Sequence, residues 1–340
     1  MAHHGEVYRG ALKKIINSPS DAVDEMLDGF VAAHGDLVRL AAPRVVARCR
    51  PAGSKVGFVV GGGSGHEPAF AGYVGRGLAD AAACGDIFTS PPPGVCLDAI
   101  RAANAGRGVL LGYGNYSGDV LNFGLAAQMA AAEGIEVREV QVTDDVASAP
   151  AGKTSRRRGI AGDIFVFKCI GAAAERGVPL DEVERIARKA NAATRSMGVA
   201  LSPCEVPGSD RPTFELPADM MEIGMGVHGE PGVRRGPLEP ADEIAGHLVA
   251  AILADLDMPA GQELALMVNG LGATPYMDQY ILYRAARRAL EAAGHAIARS
   301  YVGEFITSLE MTGASITVME LDVELRSLLD DPALSPRFVQ

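Results

Sequence analysis

Lys55-Val56-Gly57-Phe58-Val59-Val60-Gly61-Gly62-Gly63-Ser64-Gly65-His66-Glu67-Pro68 is the stretch on which the fold turns. Lys55–Val60 reads as a short buried strand, and it runs directly into a glycine-rich turn. Upstream, Val23, Met26, Leu27, Phe30 and Val31 recur at helical spacing and predict an amphipathic helix. Downstream, Ala99–Ala105 predicts a helix and Gly108–Tyr113 a second buried strand. Asn115–Gly118 is a loop, Asp119 stands at the N-cap position of a helix over Val120–Ala132, and Ile135–Val142 is a third strand. Strand, loop and helix alternating in this way predict an α/β protein, its sheet mostly parallel with helices on both faces. Such sheets bind ligands outside the carboxyl ends of their strands. The turn at 61–65 and the loop at 115–119 are both strand-to-helix connections, so both are expected to open on one edge.

Asp144–Gly159 is polar and basic, with Lys153, Arg156, Arg157 and Arg158, and reads as a solvated loop or a patch for a partner. Leu180–Met197 predicts a helix with Glu182, Glu184, Arg185, Arg188 and Lys189 on its wet face. Pro203–Pro217, rich in proline, is the candidate linker. Strand Met221–Val227, helix Asp242–Asp255, strand Glu263–Asn269, helix Tyr276–Ala293 and strand Ser315–Leu321 then describe a second α/β domain. The expected division is residues 1–200 and 201–340, each domain a mostly parallel or mixed sheet flanked by helices.

Composition narrows the function. The 340 residues are 48% hydrophobic and 21% charged, too apolar for a disordered chain, with 41 glycines and 20 prolines for tight turns. A net charge of −11 disfavours a general binder of nucleic acid or anionic membrane. No apolar run reaches the roughly 18 residues that span a bilayer, and Leu248–Leu256 is broken by Asp255. Met1–Glu6 has no hydrophobic leader segment, and no function is assigned to His3 and His4. Cys49, Cys84, Cys96, Cys169 and Cys204 form no C-x-x-C pair, which fits reduced thiols in a cytoplasmic protein better than a disulfide scaffold or a metal site.

Two histidines stand in unusual settings. His66 follows the first strand, and His228 lies in Gly224-Met225-Gly226-Val227-His228-Gly229-Glu230-Pro231-Gly232 at the end of another. Glycines around an imidazole let a small ligand reach both the ring and the backbone, although a histidine in such a turn is also a common structural residue. His34, His247 and His295 lie in ordinary helical or surface contexts. Asp119 is either a helix cap or a general base, and both roles stay open at this point. The glycine cluster is not a phosphate loop: no Gly-Lys-Ser/Thr follows any glycine loop, and His66 stands where the last glycine of G-x-G-x-x-G would be. His66 also replaces the final glycine of G-x-S-x-G, so a hydrolase elbow at Ser64 is broken.

From about Asn17 onward, the chain resembles the substrate-binding K subunit of dihydroxyacetone kinase. The resemblance is carried by Gly61–Pro68 with Ile87–Pro91, by Asn115–Asp119 with Leu121-Asn122-Phe123, by Gly226–Gly232, by Asn269–Pro275 and by Thr307–Gly313. It implies two α/β domains in a homodimeric, cytoplasmic subunit. It also implies that His228 adds to the ketone of a short ketose to form a hemiaminal, a bond that glycerol cannot make. By the same resemblance Asp119 is the general base toward the hydroxyl that receives phosphate. His66 is its acid/base companion, and Gly63, Ser64 and Gly65 give backbone contacts to the substrate.

Fused kinases of the family continue beyond this length into a nucleotide-binding L domain. The resemblance therefore assigns the nucleotide, ATP or ADP with Mg, to a separate L subunit, with a phosphotransferase-type M subunit as a further partner. No metal is expected on this chain. One position departs from the family: the lysine usual before the Asn-Tyr pair is Gly114 here. Its loss leaves room for a larger ligand, so erythrulose stands beside dihydroxyacetone as the expected substrate. A ketose-sensing regulator without phosphotransfer is the alternative.

Overall fold

The computed structural model describes residues 13–50 and 53–340, so the readings made on His3, His4 and Met1–Glu6 lie outside the described residues. The first half carries α1 (Ala22–Ala33), β1 (Val38–Ala42), β2 (Val45–Arg48), β3 (Gly57–Ser64), β4 (Ala81–Ile87), α2 (Pro93–Ala103), β5 (Val109–Gly114), α3 (Ser117–Ala132) and β6 (Val137–Val142). Its six strands lie in the order β1-β2-β4-β3-β5-β6. β4, β3, β5 and β6 run parallel, and the β1–β2 hairpin closes one edge antiparallel.

After α4 (Asp163–Glu175) and α5 (Leu180–Ala192) comes a second six-stranded sheet, in the order β11-β10-β12-β7-β8-β9. Its strands are β7 (Thr194–Ser202), β8 (Met220–Ile223), β9 (Arg234–Pro237), β10 (Glu263–Gly270), β11 (Ala296–Gly303) and β12 (Thr312–Leu321). β10 and β11 pair parallel, and the remaining pairs are antiparallel. α6 (Ala241–Leu256), α7 (Tyr276–Ala292) and α8 (Val323–Leu329) complete it.

The two-residue period of each strand sorts its side chains between two cores. Phe58 and Val60 of β3 face a middle core, and Val59 faces an outer core under α2 and α3. In β10, Ala265 and Met267 face the same middle core, while Leu264, Leu266 and Val268 face α6 and α7. α4, apolar nearly all round, is buried from Asp163 through Ala174 and fills the space between the sheets. The fold class is therefore as expected, two sheets flanked by helices, with one core common to both.

Several expectations are corrected. The helix read over Leu180–Met197 ends at Ala192, and Thr194–Met197 opens β7, where a β-branched residue and alternation favour a strand. The expected division at 200 falls inside that strand. Pro203–Pro217 is no link between halves, because it joins β7 to β8, which pair in one sheet, and its Cys204 is fully buried.

Asp144–Gly159 is only partly solvated. Arg157 is 1% exposed and donates to Asp255 of α6 at 2.7 Å, and Arg158 pairs with Asp145 at 2.7 Å. Two adjacent arginines turn inward because buried carboxylates wait for them. The cysteines among the described residues are unpaired, and four of the five are buried.

Candidate functional site

β4, β3 and β5 are parallel neighbours, so the segments leaving their carboxyl ends meet along one edge. These segments carry His66 after β3, Phe88–Ser90 after β4, and Asn115–Asp119 after β5. The glycine run is mostly strand, since β3 extends to Ser64, and the turn begins at Gly65 with φ +95°. Gly63 is required by close approach: a Cβ there would stand 2.6 Å from the Thr89 backbone nitrogen. Phe88 holds a left-handed φ of +54°, and its N–H donates to the Ser64 carbonyl at 2.9 Å. A strained aromatic residue of this kind persists where its surroundings fix it. Its ring stacks on His66 with centroids 4.9 Å apart.

The second half of the chain closes over this edge. His228, in the turn after β8, brings its Nε2 to 3.0 Å from the Nε2 of His66. His66 Nδ1 donates to the Thr307 carbonyl at 2.7 Å, and His228 Nδ1 donates to Glu230 Oε1 at 3.1 Å. Each ring has thus spent its Nδ1 hydrogen on an oxygen. The Nε2–Nε2 contact is a hydrogen bond only with a further proton between the rings. Burial, together with the His228 charge, lowers His66 to about 3. Burial works to raise the Glu230 carboxyl, but the His228 ring and Arg158 overrule it and hold Glu230 at about 2.

Asp119 is not the cap of α3. The helix begins at Ser117 with Tyr116 at its N-cap, and Asp119 lies within the first turn. Its carboxyl is 8% exposed, and Oδ1 has no hydrogen-bond partner. Burial raises it to about 6, with the nearby Ser90 hydroxyl and His228 ring pulling the other way. Ser90 Oγ and the Tyr116 hydroxyl are likewise buried without partners. Orphaned polar atoms on neighbouring residues suit a small polyhydroxylated ligand that would satisfy them.

The remaining expected residues divide. Ser64 donates its hydroxyl to the Gly85 carbonyl at 2.8 Å, so its proton is committed away from the histidines. Gly65 donates its N–H to Glu67 Oε1 at 3.1 Å. Gly114 does not face an empty space: a Cβ there would meet the Tyr116 ring at 3.2 Å and the Gly159 carbonyl at 3.4 Å. Tyr116 in turn packs edge-on to His228, with centroids 4.9 Å apart. A cavity of about 520 Å³ is lined by Gly62, Gly63, Ser64, Glu67, Thr307 and Arg337 among others, and His66, His228 and Asp119 are not in its lining. Among the described residues, no His/Cys/Asp/Glu cluster has the geometry of a metal site.

Sequence reading singled out the histidines but gave no role to Glu230, Tyr116, Phe88 or Thr307. The signal for Glu230 was its spacing, two residues past a histidine with only Gly229 between. Phe88 and Thr307 reach the site through tertiary contacts that no local pattern records. The basic loop also takes part, because Arg158 donates to the Gly224 carbonyl at 3.2 Å in the turn that carries His228.

The chain is similar to known proteins over nearly its whole length. The Dak1 domain family matches residues 28–337. The dihydroxyacetone-binding subunit DhaK of PTS-dependent dihydroxyacetone kinase 2 from Listeria innocua is 46% identical, covering 96% of this chain and 99% of that protein. The D-erythrulose kinase of Mycolicibacterium smegmatis is also 46% identical over 96% of this chain, which spans only 56% of that protein. Among solved structures, a dihydroxyacetone kinase operon co-activator, DhaQ, superposes with TM-score 0.88 at 34% identity, covering 93% of this chain and 98% of that one. The dihydroxyacetone kinase of C. freundii gives 0.87 at 35%, covering 96% and 60% respectively. No described helix is long and apolar enough to cross a membrane.

Proposed function

The chain belongs to the Dak1 domain family, and on that premise we propose that it is the substrate-binding subunit of a short-ketose kinase. It takes dihydroxyacetone or erythrulose as a hemiaminal on His228 and presents the ligand's terminal hydroxyl to Asp119. The observation that carries this reading is the 3.0 Å contact between His66 and His228, near which Asp119 stays buried with an unpartnered oxygen. An imidazole nitrogen adds to a carbonyl carbon. A carboxyl held near neutrality accepts a hydroxyl proton as phosphoryl transfer proceeds through a loose transition state.

The phosphate comes, in this reading, from a nucleotide with Mg on a separate L subunit, either as ATP or as ADP rephosphorylated in place by an M subunit. Support comes from the name of the Listeria relative, a binding subunit of a PTS-dependent kinase that this chain matches end to end. The subunit is taken to act in the cytoplasm as a homodimer. Erythrulose stands beside dihydroxyacetone because two erythrulose kinases of Mycolicibacterium smegmatis are 46% and 44% identical to this chain. One assay separates enzyme from sensor: the chain with a cognate L subunit, ATP and Mg, offered C3–C5 ketoses. A phosphorylated ketose is the expected product. None from any ketose would favour a ketose-sensing regulator instead, as the co-activator named among the neighbours suggests a regulatory use of the fold.

A further inference from the structure

The turn after β8 is built around Glu230 as much as around His228. Both oxygens of this carboxylate hold the same residue, Oε1 accepting from His228 Nδ1 at 3.1 Å and Oε2 from the His228 backbone N–H at 2.9 Å. Gly226 makes the arrangement possible, since a Cβ there would lie 2.2 Å from Glu230 Oε2 and 2.5 Å from an Arg158 nitrogen. Gly229, at φ +85°, turns the chain back so that the carboxylate reaches the ring. Arg158, 3.9 Å from Oε2, adds a smaller pull to that of the His228 ring in holding the carboxylate ionised. This clamp is too specific to be only a turn device, for a turn needs one backbone bond and not a charged partner on the ring.

We propose that Glu230 is the positioning residue of the covalent step: it fixes Nε2 as the nucleophilic nitrogen of His228 and carries the counter-charge of the adduct. The proposal rests on the ketose-binding reading above. In the free chain the His228 ring donates Nδ1–H to Glu230, and the 3.0 Å contact carries one proton between its Nε2 and that of His66. On ketose binding the Nε2 proton passes to His66 Nε2, and the freed lone pair bonds to the carbonyl carbon. The carbon–oxygen π pair moves to oxygen, which takes the proton back from His66. The product is an Nε2-substituted imidazolium with its Nδ1–H still on Glu230. No proton enters or leaves the site, and no other reactant is needed.

The test uses the full chain, uniformly labelled with nitrogen-15, and dihydroxyacetone labelled with carbon-13 at C2. In the wild type the expected spectrum shows the C2 resonance leaving the ketone region, coupling to Nε2 of His228, with a hydrogen retained on Nδ1. Glu230→Gln keeps the shape and removes the charge. It is expected to lower the adduct population at subsaturating ketose about 10-fold or more, raising KM with a much smaller change in kcat. Glu222→Gln is the comparator: Glu222 Oε1 accepts from the Gly232 N–H at 2.6 Å in the same turn but does not touch His228. It is expected to leave the coupling pattern unchanged. Wild-type coupling to Nδ1, loss of the Nδ1 hydrogen in the adduct, or equal KM and adduct population in folded Glu230→Gln and wild type would each overturn the proposal. A wild-type chain that forms no adduct at all would instead overturn the ketose-binding reading.

Discussion

His66 and His228 stand 162 positions apart in the chain, yet their Nε2 atoms meet at 3.0 Å. One ring comes from each sheet's half of the fold. Each is oriented by an oxygen from its far side, the Thr307 carbonyl for one and Glu230 for the other. The contact therefore depends on how the two halves are held, and it frames the tests that follow.

Replacing His228 by alanine removes the proposed nucleophile but little packing, since its side chain is 25% exposed. The intact mass of the wild-type chain is expected to rise by one ketose, and that of His228→Ala to stay unchanged. Phosphorylation with the L subunit should fall by at least about 100-fold, within the range given for general acid–base or covalent groups. A wild-type-like mass increase in the variant would remove His228 from the covalent step.

Asp119 offers a pH test with a definite sign. Its folded-state value is raised to about 6 from 3.8, so the folded chain holds this proton more tightly than the unfolded chain. The site therefore costs stability increasingly as pH climbs from about 4 to 6, and the cost stays constant above. Asp119→Asn should unfold at higher denaturant than wild type at pH 8, by about 1–2 kcal/mol, and show little or no gain at pH 3.5. Activity should move the opposite way, rising in the wild type through pH 6 and lost in the variant. A stability difference independent of pH would contradict this account of Asp119.

At Gly114 a lysine must displace the Tyr116 ring edge, which a Cβ would meet at 3.2 Å. Gly114→Lys is expected to lose activity on erythrulose relative to dihydroxyacetone, read as the ratio of kcat/KM for the two sugars. An unchanged ratio would show that this position does not set substrate length.

Arg157 and its neighbours separate surface from core. Arg157→Met strands part of the charge of Asp255, although Arg195 also pairs with that carboxylate. A loss of about 3 kcal/mol in denaturant unfolding is expected. Lys153→Glu with Arg156→Glu, both outside that buried pair, should leave stability within about 0.5 kcal/mol and weaken association with an L subunit. Unchanged affinity would leave these two residues as ordinary solvated surface.

Much of this was readable in the sequence. Val23–Val31 carries a helical period, Gly108–Tyr113 and Glu263–Asn269 are short apolar runs, and α1, β5 and β10 lie where these put them. α4 was missed because a helix buried on every side has no polar face to give it a period. β4 was missed because its alanine-rich start lacks the β-branched residues that mark a strand, and the β1–β2 hairpin because strands of five and four residues are too short to show a period. Within the site, the glycine settings drew attention to His66 and His228. What brings them together is tertiary packing: Arg158 reaching back to Gly224, and Thr307 arriving from beyond β11.

The helix α4 sets a rule for anyone dividing this molecule. A fragment ending near residue 200 would break β7 and leave α4's second apolar side, Ile164 through Ala174, facing water. The remaining piece would lose the wall against which Met267 and Met319 lie. Chimeras that exchange halves between relatives should therefore aggregate unless α4 and its facing strands are taken from the same parent.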